Sequence, residues 1–352
     1  MKRKNYITIF SLCAAMLGGA WGLRGAEAIN ISDFVPTDGK TDVADAIQKV
    51  ICENPNRTIY FPDGTYLISK PICTPAHPAK SVHLKLDRYA VIQAAPGWAH
   101  KEAMIRLGGI DPANNIYRNG SMYGIEGGII NGAGVATGIS IDSGRESVIR
   151  ECSIKEVRIG IHIKKGANSG SSDADIMLVN ITGNNAPDSV GVLVEGYDNT
   201  FLKMRIAAFN TGVRISAGGN AFRDIHPLQS SRGGMTAEQY QTTIGFDIRS
   251  GNNTLDYCYS DNFAVGFRFS KGRNSTLTNC FCFWYAPTGK RHTAIKAEGP
   301  LESVLTNFRA DFNVKGVENV LLEAEPGGRG VLRDPIVRGP VTTLGPLKAY
   351  SK

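Results

Sequence analysis

The sequence is poor in aromatic residues and has no long amphipathic helical pattern. Only 8% of its 352 residues are aromatic, whereas forty are glycine. A helical domain needs apolar residues at a period of 3.6, and a chain of short strands and turns does not. The sequence therefore favours an all-β protein built from many short strands.

Patterns typical of three other classes of protein are also missing. No apolar run after residue 28 approaches the length that spans a bilayer. There is no run of Lys and Arg of the kind that binds nucleic acid, and no Cys or His spacing typical of a metal site. We therefore expect no membrane span, no nucleic-acid partner and no cofactor. A calcium ion is compatible with the sequence, but no residue pattern indicates one.

The first 28 residues have the composition of a secretory signal. Lys2, Arg3 and Lys4 precede the apolar stretch Tyr6–Ala20, and Ala26-Glu27-Ala28 has the form of a cleavage site. These features predict export, to the periplasm or the medium, after cleavage near Ala28. Residues 1–28 carry four basic residues and one acidic residue, so the net charge falls from +7 to +4. That charge permits an anionic partner without requiring one.

Six cysteines remain after residue 28. An exported compartment permits disulfides, and Cys52 with Cys73 is the predicted bridge. Cys152, Cys258 and Cys280 recur at one position of a repeat, where cysteine serves as a small apolar core residue.

The repeat is clearest between Val190 and Asn279. Gly-led apolar strands begin at Gly191 and Gly212, 21 residues apart, and again at Gly245 and Gly266, also 21 apart. Repetition at this period is typical of stacked solenoid coils. We predict a parallel β-helix with glycine and asparagine at sharp corners of left-handed or Asx-turn geometry.

Two apolar columns follow from the repeat. In the second strand of each coil, an apolar residue lies three positions after an apolar anchor, in seven successive copies. The predicted columns are Cys152, Val179, Met204, Ile225, Cys258, Cys280 and Phe308, and from the first strands Ile139, Ile161, Val192, Val213, Phe246, Phe267 and Ile295.

The N-terminal region resembles the pectate lyase/polygalacturonase superfamily. The residues that carry the resemblance are Asp33-Phe34, Asp38-Gly39-Lys40-Thr41-Asp42, Ala44-Asp45-Ala46-Ile47 and Tyr60-Phe61-Pro62-Asp63-Gly64-Thr65-Tyr66. The resemblance implies a right-handed parallel β-helix whose N-terminal end is capped by a short helix, here Val43–Cys52. The sequence departs from the family pattern at Val35-Pro36-Thr37.

We predict a single β-helix domain over residues 29–352. Residues 29–70 form the N-terminal cap and first coil, residues 138–314 the regular coils, and residues 320–352 a C-terminal extension. The spacing from Gly212 to Gly245 is 33 residues, and the excess lies in Gln229–Thr242. Loops that interrupt a solenoid often form its binding face, so Arg232 and Tyr240 are candidate substrate-binding residues.

The outward positions of the second strands hold the candidate site. Because adjacent coils are roughly 4.8 Å apart, His226 lies next to Arg205 and Tyr259. Asp224 is close to His226 in the same strand. The predicted catalytic residues are His226, Tyr259 and Asp224, and the predicted substrate-binding residues on this face are Lys203, Arg205 and Tyr257.

A second outward row follows the first strands. Arg214, Asp247, Arg268 and Lys296 form a basic stripe with one acid inside it. Arg214 and Arg268 are predicted to bind the carboxylates of an acidic glycan, since guanidinium groups bind carboxylates in a bidentate manner. The alternative to glycan binding is that these charges only neutralise one another in water.

The resemblance implies action on a polysaccharide and leaves the reaction open. Gly212-Val213-Arg214-Ile215-Ser216 is similar to the polygalacturonase strand G-x-R-I-K, but the usual hydrolase acids and the classical pectate lyase motifs are absent from the sequence. The first alternative is β-elimination on a uronic-acid glycan. Arg205 or Lys203 would neutralise the carboxylate, His226 would remove the C5 proton as the base, and Tyr259 would protonate the leaving oxygen.

Two other functions remain open. The second alternative is hydrolysis by two carboxylates drawn from Asp224, Asp256, Asp261 and Glu238. The third is a glycan-binding or structural solenoid without catalysis, and oligomerisation is compatible with all three.

Overall fold

The coils stack directly upon one another, so that residues one repeat apart pair as neighbours in parallel strands. The computed structural model describes residues 28–77, 79–110, 123–165, 171–229, 235–286 and 289–342. Val192 pairs with Val213, which pairs with Phe246, and Phe246 pairs with Phe267. The predicted parallel β-helix is confirmed.

One sheet contains the first strand of each coil, in an order that follows the chain. We call it the ten-stranded sheet. Its strands are Ile72–Pro75, Ala103–Ile110, Thr137–Ile141, Ile159–Ile163, Val190–Val194, Thr211–Ile215, Ile244–Ile248, Val265–Phe269, Arg291–Pro300 and Glu318–Glu325.

The remaining main strands form a second sheet that bends once in each coil. Strands before the bend form its first limb, and strands after the bend form its second limb. The strands of this bent sheet are Ile29–Asn30, Asp38–Asp42, Thr58–Phe61, Gly64–Ile68, His83–Leu86, Ala90–Ala94, Gly124–Glu126, Ile129–Asn131, Val148–Arg150, Ser153–Val157, Asp175–Met177, Asn180–Gly183, Thr200–Ala207, Ala221–Leu228, Thr254–Asp256, Tyr259–Asp261, Thr276–Thr278, Phe281–Trp284, Val304–Thr306, Arg309–Phe312, Val331–Arg333 and Ile336–Arg338.

A few short elements complete the described chain. Gly144–Arg145 pairs with Ser171–Ser172. A 3-10 turn spans Ile31–Asp33, and α-helices span Ala44–Glu53 and Ala237–Gln241. In the described residues no helix has both the length and the apolarity needed to cross a membrane.

Both predicted columns lie in the core, and every member is at most 1% exposed. The three-residue offset in the second column has a backbone cause. One residue between the anchor and the column member has a positive φ, which turns the chain and brings the third residue back inside. Lys203, Asp224 and Tyr257 hold this position with φ of 53°, 52° and 51°. The offset therefore indicates a corner between two limbs, and the strand is not simply alternating.

Glycine at the strand starts has a different role from the one predicted. Gly191 and Gly212 are not among the residues with positive φ. A Cβ on Gly191 would lie 2.6 Å from the carbonyl oxygen of Gly212, and one on Gly212 would lie 2.6 Å from that of Gly245. These glycines are required by the close approach of the next coil, and the left-handed corners are made by non-glycine residues.

The predicted asparagine turns are present. Asn199, Asn220 and Asn253 are each 1% exposed. The backbone N–H of Asn199 donates to Oδ1 of Asn220 at 3.0 Å, and that of Asn220 donates to Oδ1 of Asn253 at 3.1 Å. The side chains thus satisfy buried turn amides, which would otherwise be costly to desolvate.

The N-terminal helix begins one residue later and ends one residue later than predicted, and buries Ile47, Val50 and Ile51 against the first coils. The predicted Cys52–Cys73 disulfide is wrong, because both thiols are free. The side chain of Gln48 lies between them, and its amide donates to the Cys73 carbonyl at 2.9 Å and accepts from the Cys73 N–H at 2.7 Å. The helix is therefore attached to the coil through an amide.

Candidate active site

His226 lies on the outward side of the second limb, as predicted. Arg205 pairs directly with His226 in the adjacent coil. Tyr259 pairs with Phe281, and Phe281 pairs with Arg309. We call this outward row, Arg205 to Arg309, the His226 face.

The imidazole of His226 is held by a carboxylate from the next coil. Nε2 of His226 lies 2.9 Å from Oδ2 of Asp261, and the two side chains are only 15% and 13% exposed. An ionised carboxylate accepts the Nε2 hydrogen, which leaves Nδ1 as the ring acceptor. The arrangement therefore presents an oriented base.

The sequence indicates Asp261 only as one of several candidate hydrolytic acids, and the role of this residue in orienting His226 is visible only in the structure. Leu228 pairs with Asp261 across the long insertion, which is the register that places His226 next to Tyr259. The other oxygen of Asp261, Oδ1, is buried and has no hydrogen-bond partner among the described residues.

Tyr259 stacks on His226, with ring centroids 3.9 Å apart. Its other side is covered by Phe281 at 4.5 Å, and Arg309 lies over Phe281 at 4.3 Å. Because neighbours cover both faces of Tyr259, a sugar cannot stack on this ring, and the stack instead fixes the position of the imidazole. Burial raises the pKa of Tyr259, opposed by the Arg205 charge. The phenol is consequently protonated at neutral pH and able to donate.

Charged and exposed groups lie near His226, in its own coil and in the adjacent coils. Arg205 is 44% exposed, and its Nη1 lies 3.4 Å from Oδ1 of Asp224. Lys203 and Asp224 occupy successive left-handed corners, where side chains project outward. Tyr257 is 51% exposed at the next corner, with its ring centroid 6.0 Å from that of Tyr259. Four predicted site residues are thus brought together around His226 and Tyr259.

The other carboxylates considered for hydrolysis are less favourably placed. Asp256 forms an ion pair with exposed Arg223 at 3.5 Å, and Glu238 is exposed in the first turn of the helix Ala237–Gln241. Asp311, which the sequence reading missed, is 7% exposed and has one oxygen without a hydrogen-bond partner in the described residues. It follows Asp261 and Phe283 in one outward row.

The long insertion contributes differently from the prediction. Tyr240 is buried at 3% exposure, and its hydroxyl donates to the carbonyl of Asn262 at 2.5 Å. This corrects the assignment of Tyr240 to substrate binding, since the residue anchors the insertion to the following coil. Arg232, the other predicted residue of the insertion, lies outside the described residues.

The basic stripe of the ten-stranded sheet is organised around one buried acid. Arg214 pairs with Asp247, which pairs with Arg268. Asp247 is fully buried, and Arg214, Arg268 and Arg249 all contact its carboxylate at 2.8–3.0 Å. Burial lowers the pKa of Arg214, and the charge of Arg249 adds to this effect. Arg249 was missed because it lies two residues beyond the row used for the prediction.

A second histidine–carboxylate pair lies on the same sheet. Nε2 of His162 is 2.8 Å from Oε2 of Glu195, and the two side chains are 20% and 41% exposed. His162 pairs with Leu193, which pairs with Arg214. The sequence analysis did not identify this pair, although the 31-residue offset between the two strands places Glu195 two residues beyond the partner of His162, in the adjacent coil.

In the part of the chain that the structure describes, no cluster of three or more His, Cys, Asp or Glu side chains is arranged to hold a metal ion.

Comparison with solved structures shows similarity to parallel β-helix proteins. An alginate lyase from Paenibacillus sp. FPU-7 has a TM-score of 0.50 at 14% identity, covering 84% of this chain and 97% of that one. PfbA, a surface adhesin of Streptococcus pneumoniae, has 0.55 at 12% identity, covering 90% and 92%. A mutant tailspike of E. coli bacteriophage HK620 in complex with a pentasaccharide has 0.58 at 13%, covering 88% of this chain and 65% of that chain. At these identities the likeness establishes the fold alone.

The sequence has no match among curated proteins. The family model for rhamnogalacturonase A/epimerase, pectate lyase-like proteins matches residues 28–220, which is more than half of the chain and extends the resemblance carried by the N-terminal motif. The chain therefore belongs to the rhamnogalacturonase A/epimerase, pectate lyase-like family.

Proposed function

We propose that this protein is an exported enzyme that cleaves a uronic-acid-containing polysaccharide by β-elimination on the His226 face. The observation that carries the proposal is the 2.9 Å contact between His226 and Asp261, which orients a base beside a protonated phenol. The family, the alginate lyase and the tailspike solved with a pentasaccharide support a polysaccharide substrate. The surface adhesin and the tailspike act outside cells or on surfaces, in agreement with export.

In the proposed reaction, Arg205 neutralises the uronate carboxylate and so makes the C5 proton more acidic. Nδ1 of His226 removes that proton, and the C–H electron pair forms the C4–C5 double bond. The C4–O bond breaks, and the leaving oxygen takes a proton from Tyr259. The imidazolium is stabilised by Asp261, and its proton then returns to the phenolate.

The Arg214 cluster, which consists of Asp247 with Arg214, Arg249 and Arg268, supports a second location for the same chemistry. His162 and Glu195 resemble His226 and Asp261 in geometry, and three arginines lie close by on that sheet. The family match, which ends at residue 220, includes His162 but not His226. We favour the His226 face because it combines the base with a half-buried, protonated phenol in direct contact.

Hydrolysis is the second candidate function, favoured by one observation. Asp261 and Asp311 both carry a buried oxygen without a hydrogen-bond partner in the described residues, and they lie two coils apart in one row. Their Cα atoms are therefore separated by roughly 10 Å, near the upper limit for two acids that admit a water molecule. A glycan-binding solenoid without catalysis is the third alternative.

The two histidine–carboxylate pairs provide a matched experiment. Purified wild type, His226→Ala and His162→Ala are assayed on plant, algal and animal acidic polysaccharides, with folding checked by circular dichroism. We expect ultraviolet absorbance from an unsaturated uronide with wild type, and a loss of about 10²–10⁴-fold with His226→Ala only, as for a general base.

Each other outcome assigns a different function or location. Loss with His162→Ala alone transfers the site to the Arg214 cluster. New reducing ends without the absorbance indicate hydrolysis, and the absence of any product on all substrates contradicts an enzymatic function.

A further inference from the structure

A groove follows the turns that join the ten-stranded sheet to the first limb. Its volume is about 470 Å³. It crosses four successive coils, so its length is roughly 14 Å, or three coil spacings. The lining residues are Tyr197, Asp198, Gly218, Gly219, Ser250, Gly251, Asn252, Gly272, Arg273 and Asn274. A shallower depression of about 220 Å³ adjoins it and shares Asn252 and Asn274.

The depth of the groove depends on glycine. A Cβ on Gly219 would lie 1.9 Å from Oδ1 of Asp198, and a Cβ on Gly251 would lie 2.6 Å from Oδ1 of Asn274. Gly272 opens onto free space, with no heavy atom within 4 Å of a Cβ built there. Larger residues at these positions would fill the space or displace its polar walls.

The polar groups of the groove suit a hydroxyl-rich ligand. Asn252 and Asn274 provide amides that both donate and accept hydrogen bonds. Asp198 and Arg273 contribute one charge of each sign, so the groove has no net attraction for a polyanion. Its apolar surface is limited, which disfavours a lipid or an apolar peptide.

Two further observations indicate a ligand. Tyr197, at one end of the groove, is 38% exposed, and an aromatic ring with one open face can pack against the apolar face of a sugar ring. Ser275, which lines the adjoining depression, is 95% buried, yet its Oγ has no hydrogen-bond partner in the described part of the chain. A buried hydroxyl without a partner calls for a group that the described residues do not supply.

We propose that this groove is a second glycan-binding site, which takes a neutral oligosaccharide segment and is separate from the His226 face. It shares no residue with the proposed catalytic groups, so it goes beyond the proposed function. Binding in the groove would hold a polysaccharide while a distant part of the chain reaches the active face, and two linked contacts raise the effective affinity.

The test uses a microarray of neutral and acidic oligosaccharides from plant, algal and animal polysaccharides. Binding of the full-length protein is compared among wild type, Tyr197→Ala, Ser250→Trp and the control Tyr285→Ala. Tyr285 is a similarly exposed tyrosine, at 52%, outside the groove. We expect wild type and Tyr285→Ala to bind neutral members, and Tyr197→Ala and Ser250→Trp to lose the signal at least tenfold.

The result is independent of turnover. Catalytic activity on acidic polysaccharides is measured separately for each variant, so failure of the groove proposal differs from failure of the proposed function. Absence of wild-type binding to every neutral glycan, or equal binding by all four folded proteins, would overturn the proposal.

Discussion

His226 and Asp261 belong to adjacent coils, and the insertion that separates them in sequence leaves their side chains 2.9 Å apart. The insertion begins after Leu228, and Leu228 pairs with Asp261. A long loop is therefore accommodated without disturbing the contact between the two functional groups.

The first prediction concerns Asp261 as a positioning residue. With Asp261→Asn we expect kcat on the identified polysaccharide to fall about 10²-fold or more, while KM changes little, because the imidazole loses its orienting carboxylate. The acidic limb of the pH–rate profile, where the base becomes protonated, should change as well. Asp256→Asn is the control, since Asp256 pairs only with exposed Arg223 and Asn279 among the described residues. Unchanged kcat in a folded Asp261→Asn variant would contradict this role.

The second prediction concerns the core column. Ile225 is 1% exposed, so Ile225→Asp places an unpaired charge between apolar neighbours and should reduce the free energy of unfolding by roughly 3–5 kcal/mol. Ala221, in the same strand, is exposed, and Ala221→Asp should change it by less than about 1 kcal/mol. Urea denaturation followed by circular dichroism measures both, and equal effects would refute the assigned register.

The third prediction concerns the buried acid of the ten-stranded sheet. Asp247→Asn removes the carboxylate that three arginines share, which leaves their charges uncompensated. We expect a loss of roughly 3–5 kcal/mol in the free energy of unfolding. Asp256→Asn disrupts an exposed pair and should cost roughly 0–1 kcal/mol. If the two variants are equally stable, the cluster does not hold the sheet together.

The fourth prediction concerns stability against pH. Burial lowers the pKa of His292 to about 4, and the ring stacks on Trp284 with no solvent exposure. An unfolded histidine titrates near pH 6.5, so between pH 6.5 and 4 the unfolded chain binds a proton that the folded chain does not. Stability should fall as the pH is lowered through this window, by up to about 3 kcal/mol.

The His292 contribution can be isolated by substitution. His292→Gln should reduce the dependence of the free energy of unfolding on pH between 6.5 and 4, with a remainder from His83, whose pKa burial also lowers. The exposed His77→Gln should leave the slope unchanged. Carboxyls with lowered pKa, such as Asp142, add their loss only near and below pH 4. An unaltered slope in His292→Gln would show that this imidazole is not responsible.

Much of the fold could be predicted because the coils repeat. Apolar residues at fixed offsets report the stacking directly, and both columns, the asparagine turns and the outward position of His226 were obtained this way. The left-handed corners could not be predicted, since Lys203 and Tyr257 are not residues that favour positive φ. Stacking of identical turns determines their conformation.

The errors have a common physical origin. Tyr240 lies in an insertion and Cys52 in the capping helix, where the repeat supplies no register, and Cys73 lies in the first strand of the ten-stranded sheet, before the regular coils. The burial of Tyr240 and the position of Gln48 between the two thiols depend on contacts with residues 22 and 25 positions away in the sequence. Asp261 and Arg249 were within the repeat, but their roles depend on side-chain directions that spacing alone does not specify.

The glycines at the strand starts of the ten-stranded sheet, such as Gly191 and Gly212, have a consequence for how such proteins can diversify. Each glycine admits the carbonyl of the following coil at a distance that no side chain permits, so the pitch of the solenoid is the same wherever a glycine-led strand recurs. A complete coil is thus an interchangeable unit, which can be duplicated, deleted or replaced by a coil with other outward residues. The neighbouring coils still stack at the same distance from its backbone. New specificity in this architecture can arise by exchange of whole coils, without any adjustment of the core.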